Sequence, residues 1–355
     1  VSVFLFRKWL DTAKAFEIDS QKFHLWHNRS IHRTDKEEKE MSVIGRFAPT
    51  PSGRMHAGNL LCALIAWLSA RSVGGKILLR IEDLDTYRCG WEENSYQLIN
   101  DLHFLGLTFD GGYDRNQWQS ARFSIYQEQF EKLQKRSLLY PCTCSRAELH
   151  AATAPHLSDG SYRYDGKCYR RFLAGLPPYL LKEGKAPAYR IHVPDRVISF
   201  EDRLCGRYEE NLEKDCGDFI IRRADGVYAY QLAVVTDDGL SGITQVVRGR
   251  DLLSSTPRQI WLAELLGFSS PQFCHIPLLT DSKGRRLSKR DGDLDIGSLR
   301  KRFGSPEPII GMLGYCCGLL DRPEPVGVEE LIPLFSFDKI PKEKIVLPDL
   351  NLLEK

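Results

Sequence analysis

Two segments of the chain carry residue types suited to handling a nucleoside triphosphate. The first is Pro51-Ser52-Gly53-Arg54-Met55-His56-Ala57-Gly58-Asn59. Gly53 and Gly58 have no side chains to hold a nucleotide off the backbone. A helix beginning here offers unpaired N–H groups and a partial positive charge to a phosphate. His56 can donate hydrogen bonds to phosphate oxygens as charge builds in a transition state. Alone, the segment reads equally well as a tight turn with a surface histidine. The second segment is Arg285-Arg286-Leu287-Ser288-Lys289-Arg290-Asp291-Gly292, a compact basic loop. Lys289 can neutralise a departing pyrophosphate if the loop closes over it. Alone, it reads as a solvated basic loop or a nucleic-acid patch.

A third group suits a metal. Of the ten cysteines, Cys62, Cys89, Cys205, Cys216, Cys274, Cys316 and Cys317 show no disulfide-like spacing. Cys142, Cys144 and Cys168 lie close together. The start of the chain, Val1 to Phe6, is apolar with its charges after it, the wrong order for a secretory signal. A reducing compartment is expected, where clustered cysteines bind metal more often than they form disulfides. Three soft thiolates favour Zn²⁺ in a closed tetrahedral site. The fourth ligand is open among Tyr164, His150, His156 and Tyr162.

The elements that must position these groups read as α/β. Val43–Ala48 is strand-like, and the loop Pro49–Gly53 follows it. A helical pattern then places Leu60, Leu61, Leu64, Ile65 and Leu68 on one face. Lys76–Glu82 is a continuous apolar run of the kind a buried parallel strand shows. Helical patterns follow at 91–106 and 119–137. Residues 142–215 are rich in Gly, Pro, Cys and Tyr and break the alternation, so they read as an insertion that needs a structural metal for want of its own core. The strand-like alternation resumes with Asp218–Arg222, Tyr228–Val235 and Ile243–Val247, then a helix over 256–266. From 295 the tail reads as short helices separated by prolines. The expected division is 1–40 extension, 41–141 first catalytic half, 142–215 insertion, 216–292 second catalytic half, and 293–355 helical region. Residues 1–40 contain no glycine and no recognisable motif; they are either a helical appendage or an upstream extension outside the core.

At 355 residues the chain has room for about two domains. Its 42% hydrophobic and 27% charged residues fit an ordinary globular protein. A net charge of only +2 requires any nucleic acid to be held by a local basic face. No apolar run reaches the roughly 18–20 residues of a membrane span.

Together, the segments resemble one family. His56-Ala57-Gly58-Asn59 and Arg286-Leu287-Ser288-Lys289-Arg290 resemble the HIGH and KMSKS motifs of class I aminoacyl-tRNA synthetases. Gly45–Gly53 resembles the RFAPSPTG segment of the glutamyl enzymes, with Thr50 and Ser52 exchanged. Arg80–Asp85, Tyr228–Asp238 and Val247–Leu252 resemble their RIEDxD, YxLAxVVDD and VxRGxDL segments. Val234 stands where full-length glutamyl enzymes often carry Asn. The CxC…YxxxC arrangement resembles the glutamyl-queuosine tRNA(Asp) synthetases and singles out Tyr164 as the fourth zinc ligand. Only 63 residues (355 − 292) follow Gly292, which fits that family's lack of an anticodon-binding domain. The resemblance covers about 42–340.

The resemblance implies an α/β, Rossmann-type class I synthetase catalytic domain with a zinc-bearing insertion and a small C-terminal helical region. It implies a cytoplasmic monomer without membrane attachment. ATP would be bound by His56, Gly58, Asn59, Ser288 and Lys289, with Mg²⁺ as its counter-ion, and His56 and Lys289 would be catalytic. Glutamate would be bound by Arg46, Ala48, Thr50, Glu82, Tyr230 and Arg248. A guanidinium suits a carboxylate, and Glu82 suits the α-ammonium group. A structural Zn²⁺ would sit on Cys142, Cys144, Tyr164 and Cys168. The implied reaction makes glutamyl-adenylate and passes glutamate to queuosine in the anticodon loop of tRNA(Asp). Three rival readings are a truncated enzyme charging tRNA(Glu) at its 3′ end, a HIGH-type nucleotidyltransferase for a small cofactor, and a non-catalytic, zinc-stabilised RNA-binding protein.

Overall fold

The computed structural model describes residues 42–85, 90–144, 164–176, 186–280, 294–348 and 350. The extension 1–40, Ser288, Lys289, His150, His156 and Tyr162 lie outside the described residues. Two parallel strand pairs form the frame. β1 (Ile44–Phe47) pairs with β2 (Lys76–Leu79) in register Ile44↔Lys76 to Phe47↔Leu79. They are joined by helix α1 (Ala57–Arg71). The apolar run after Lys76 ends as a strand at Leu79, short of the expected Glu82. Beyond it the backbone still follows the preceding loop, with Arg80 N–H donating to Phe47 O (2.9 Å) and Glu82 N–H to Pro49 O (3.0 Å). The helical patterns that follow appear as α2 (Trp91–Phe104) and α3 (Phe123–Lys135).

The expected leucine face of α1 is buried, and so are Ala63, Ala66, Trp67 and Ala70 on its other sides. The helix is covered by β1, β2 and the later strand β8 (Gln245–Gly249) on one side. On the other it meets a C-terminal helix, α8 (Glu307–Cys316), and the 3₁₀ turn Val328–Leu334. A helix sandwiched in this way needs apolar or small residues nearly all round.

An antiparallel sheet of β3 (Leu139–Cys142), β4 (Ala188–Ile191) and β7 (Phe219–Arg222) carries the short helix α4 (Lys167–Leu173). The hairpin β5 (Val197–Asp202) and β6 (Gly206–Asn211) lies in a different sheet: β5 runs parallel to β9 (Gln272–Ile276) through Asp202↔Phe273. β8 and β9 pair in parallel and are joined by α6 (Thr256–Leu266). The frame is therefore a mixed sheet. Its two halves meet where Thr244 N–H donates to Ile44 O and Ile44 N–H to Thr244 Oγ1, each at 2.9 Å.

One expectation is corrected. Tyr228–Val235 was expected to continue the strands, but the structure has helix α5 (Tyr230–Leu240) there. Leu232 to Asp237 are all buried, against α3 and α6. An unbroken apolar run looks the same for a buried strand and a buried helix, because no exposed face remains to mark the period.

The tail contains α7 (Ile296–Phe303) and α8, as expected of short helices. It also returns a strand, β11 (Ile345–Val346), to pair in parallel with β10 (Leu279–Thr280). Among the described residues no helix is long and apolar enough to cross a membrane.

Candidate functional site

The loop after β1 turns into α1 at His56, which caps the helix. His56 has extended backbone (φ −88°, ψ 165°), and its Nδ1 accepts from Gly58 N–H at 3.1 Å. An accepting Nδ1 leaves the proton of a neutral imidazole on Nε2, so Nε2 is the nitrogen able to donate. Two glycines are required by this turn. Gly53 has φ +116°, a region that side chains disfavour. A Cβ on Gly58 would lie 3.0 Å from the His56 ring and displace it.

The start of α7 locks onto the same loop. Ile296 N–H donates to Met55 O (2.9 Å), and His56 bridges to Asp295. On the other side Leu279 of β10 lines the cavity beside the loop. Residues flanking both ends of the basic segment 281–293 therefore stand at the site.

One cavity of 470 Å³ gathers the expected residues: Arg46, Ala48, Thr50, His56, Gly58, Asn59, Glu82, Tyr230 and Arg248 all line it. They come from β1 and its loop, the start of α1, the segment after β2, the start of α5, and β8. The phosphate-side group thus shares one space with the group expected to hold an amino acid.

Its floor is an ion network. Arg46 and Arg80, both buried, reach the same carboxylate: Arg46 Nε lies 3.5 Å from Asp238 Oδ1, and Arg80 Nη1 donates to that oxygen. Arg80 Nη2 also donates to Glu82 Oε1 (3.1 Å). The neighbouring Asp237 accepts from Gln119 (2.8 Å), Arg122 (2.8 Å) and the Tyr126 hydroxyl (2.9 Å). Burial raises the Glu82 carboxyl above its ordinary value, with Arg80 and Arg46 opposing the shift. Burial likewise raises the Asp238 carboxyl, yet Arg80 and Arg46 outweigh it and hold that group below the ordinary range. Both carboxyls feel Arg80 and Arg46, but Asp238 lies directly against both guanidiniums and also feels Arg248, whereas Glu82 touches Arg80 alone and is opposed by the Asp238 charge. Among the described residues the ion-pair partner of Glu82 is Arg80.

Arg248 is held otherwise. Its Nε donates to His275 Nε2 (2.9 Å) and its Nη2 to Thr256 Oγ1 (2.8 Å). Arg80, Asp238, His275 and Asp202 are site or supporting residues to which sequence reasoning gave no role. Arg80 and Asp238 stand inside quoted motif segments, a signal that was available. His275 and Asp202 stand in none.

A second cavity, of 630 Å³, shares Thr50, Glu82 and Tyr230 with the first and extends past Asp85 and Arg223 to Cys142 and Cys144. There the Sγ atoms of Cys142, Cys144 and Cys168 lie within 4.8 Å of one another. Cys144 Sγ is 3.5 Å from Cys168 Sγ and 3.5 Å from the Tyr164 hydroxyl, which is 3.8 Å from Cys142 Sγ. A tetrahedral zinc with Zn–S of roughly 2.3 Å spaces its sulfurs about 3.8 Å apart, so the three sulfurs lie close enough together to hold one such ion. Cys168 N–H donates to the Tyr164 oxygen (2.8 Å). Arg190 donates to Cys142 Sγ (3.3 Å) and lies 4.1 Å from the centre of the Tyr164 ring. Hydrogen bonds from Cys144 and Cys168, helped by Arg190, hold the Cys142 thiol far below the ordinary range, while its negative charge and burial push the Cys144 thiol and the Tyr164 hydroxyl up.

Comparison with known proteins agrees with this geometry. The family described as tRNA synthetases class I (E and Q), catalytic domain, matches residues 42–316. The chain is 46% identical to the glutamyl-Q tRNA(Asp) synthetase of Symbiobacterium thermophilum, over 86% of this chain and 96% of that protein. It is 42% identical to the enzyme of the same name from Nitratidesulfovibrio vulgaris, over 86% and 96%. Among solved structures it is similar to a glutamate tRNA ligase from Elizabethkingia meningosepticum in complex with its amino acid, with TM-score 0.69 and 26% identity over 88% of this chain and 68% of that one.

Proposed function

The chain belongs to the class I glutamyl- and glutaminyl-tRNA synthetases, and within them to the glutamyl-Q tRNA(Asp) synthetases; on that footing we propose that it activates glutamate with ATP and transfers it to queuosine in the anticodon loop of tRNA(Asp). The observation that carries this reading is the single cavity in which His56, Gly58 and Asn59 face Arg46, Glu82, Tyr230 and Arg248.

In the first step an α-carboxylate oxygen of glutamate attacks the α-phosphorus of ATP. The new P–O bond forms as the bond to the bridging oxygen breaks and pyrophosphate leaves. His56, with its proton on Nε2, donates to phosphate oxygens whose charge grows in the transition state. Ser288 and Lys289, in the segment of chain between Leu279 and Ile296, act on the departing pyrophosphate, and Mg²⁺ would accompany the phosphates. Arg46 and Arg248 receive the carboxylates of glutamate, Glu82 its ammonium group, and Tyr230 walls the pocket; Ala48 and Thr50 complete it.

In the second step the acceptor attacks the glutamyl carbonyl and AMP leaves. The second cavity shares Thr50, Glu82 and Tyr230 with the first, and on this reading it is the side from which the acceptor approaches that carbonyl. A structural Zn²⁺ held by Cys142, Cys144, Tyr164 and Cys168 would fix the cavity's far wall.

The test is ATP–pyrophosphate exchange with each amino acid in turn, with no RNA present. The pocket residues are already positioned by protein contacts, so glutamate alone should support exchange. A strict requirement for tRNA would contradict this reading.

A further inference from the structure

The sheet sets Arg248 and His275 directly side by side in the parallel pair β8–β9. His275 is wholly buried, as is its other partner, Asp202 at the end of β5. His275 Nδ1 lies 2.6 Å from Asp202 Oδ2, and Asp202 Oδ1 also accepts from Leu204 N–H (3.1 Å) and Cys205 N–H (2.9 Å). On the far side of the ring, Nε2 faces Arg248 Nε–H at 2.9 Å. A guanidinium can only donate, so Nε2 must be the acceptor. The imidazole is therefore neutral, with its proton on Nδ1 donated to the carboxylate. Burial lowers the imidazole's pKa to about 4 against the opposing pull of Asp202, in keeping with a neutral ring. Thr256 closes the arrangement: its Oγ1 accepts from Arg248 Nη2 and lies 3.2 Å from His275 Nε2.

Arg248 thus has Nε and Nη2 committed inside the protein, and Nη1 donates to no described residue. A long side chain is pinned so that one edge of its guanidinium remains for the cavity it lines. We infer that Asp202, His275 and Thr256 are positioning residues that hold the Arg248 guanidinium at the angle needed to receive a carboxylate of the amino-acid substrate. The inference rests on the reading that Arg248 binds glutamate. Asp202 sets the tautomer, the tautomer makes Nε2 an acceptor, and the acceptor orients the arginine.

The test is a double-mutant cycle on ATP–pyrophosphate exchange in the full chain. Asp202→Asn keeps the acceptor for Leu204 and Cys205 but turns an N–H toward His275 Nδ1. That moves the ring proton to Nε2, where it opposes Arg248 Nε–H, and reversal of a buried tautomer is costly. The expected result is a rise of about tenfold or more in KM for glutamate with KM for ATP unchanged, as fits loss of a charge-assisted hydrogen bond. In an Arg248→Ala background, Asp202→Asn should change KM for glutamate no further. Thr256→Val, which keeps the side-chain shape, should raise KM for glutamate alone by several-fold, and it carries the test if Asp202→Asn does not fold. If Arg248→Ala leaves KM for glutamate unchanged, the reading of Arg248 fails. If Arg248→Ala raises it but Asp202→Asn, or in its place Thr256→Val, does not, the positioning inference is overturned. Equal effects on both substrates' KM would also overturn it, because a merely structural role moves both.

Discussion

Glu82 shows what separates a structural charge from a working one at this site. It is largely buried and has Arg80 as its partner, yet burial still raises its carboxyl. Asp238, nearby, is pulled down by two guanidiniums and stays ionised. A group that binds an ammonium must be ionised, so protons compete with the substrate at Glu82. KM for glutamate should therefore rise as pH falls through the raised Glu82 pKa, while KM for ATP stays flat; Glu82→Gln should weaken glutamate binding at neutral pH and remove that pH dependence. A glutamate KM that is independent of pH down to ordinary carboxylate values would remove Glu82 from this role. Lys289 belongs to the same scale. Its charge matters most as pyrophosphate departs, so Lys289→Ala should lower kcat by about 10²-fold or more with glutamate affinity nearly intact. Loss of glutamate affinity instead would show the lysine acting on the wrong substrate. That His56 and Glu82 belong to one site was legible in the sequence because short runs around them carry the pattern. The partners were not: Arg80 and Asp238 lie 158 residues apart, and Asp202 and His275 lie 73 apart. Only tertiary packing brings such pairs together, helix against strand end in the first and strand beside strand in the second, and spacing along the chain does not encode it.

At the scale of elements, strands and loops were legible where one signal stood alone. The turn from β1 into α1 was readable from its glycines, and the parallel run after Lys76 from its continuous apolar residues. Helix α5 was not, since its buried stretch has no polar face to betray a helical period. The hairpin β5–β6 fell within the stretch read as an insertion, although β5 joins the central sheet and delivers Asp202 to His275. The antiparallel sheet β3–β4–β7 has a different problem. Beside it, Tyr140, Cys142, Tyr164 and Cys168 form a small apolar cluster of their own, apart from the two large cores. So small a cluster gains little from burial, and on the proposed reading a metal would hold its shape. The purified protein should accordingly carry about one zinc per chain. Cys168→Ser, or a strong chelator, should release it and lower Tm, with the larger loss of order around α4 and β3. A metal-free wild-type protein of unchanged Tm would remove zinc from the account.

At the scale of the whole molecule, the two parallel pairs β1–β2 and β8–β9 meet at Thr244 and Ile44, and the site lies on the strands and loops of both. Every described residue that lines the cavity comes at or after Arg46. Deleting residues 1–40 should therefore preserve the glutamate-dependent exchange rate per active site, compared by active-site titration of the full-length and Met41-start proteins; a large drop would assign those residues a part in the site. The acceptor is the least legible property of the sequence, because no residue of the activation site names it. It is also the central claim. The most direct measurement is to incubate the protein with ATP, radiolabelled glutamate and tRNA prepared with and without queuosine, then to map the label by ribonuclease digestion. The account predicts label in the anticodon-loop fragment of tRNA(Asp), present only when that tRNA carries queuosine. Label at the 3′ end of tRNA(Glu), independent of queuosine, would contradict it.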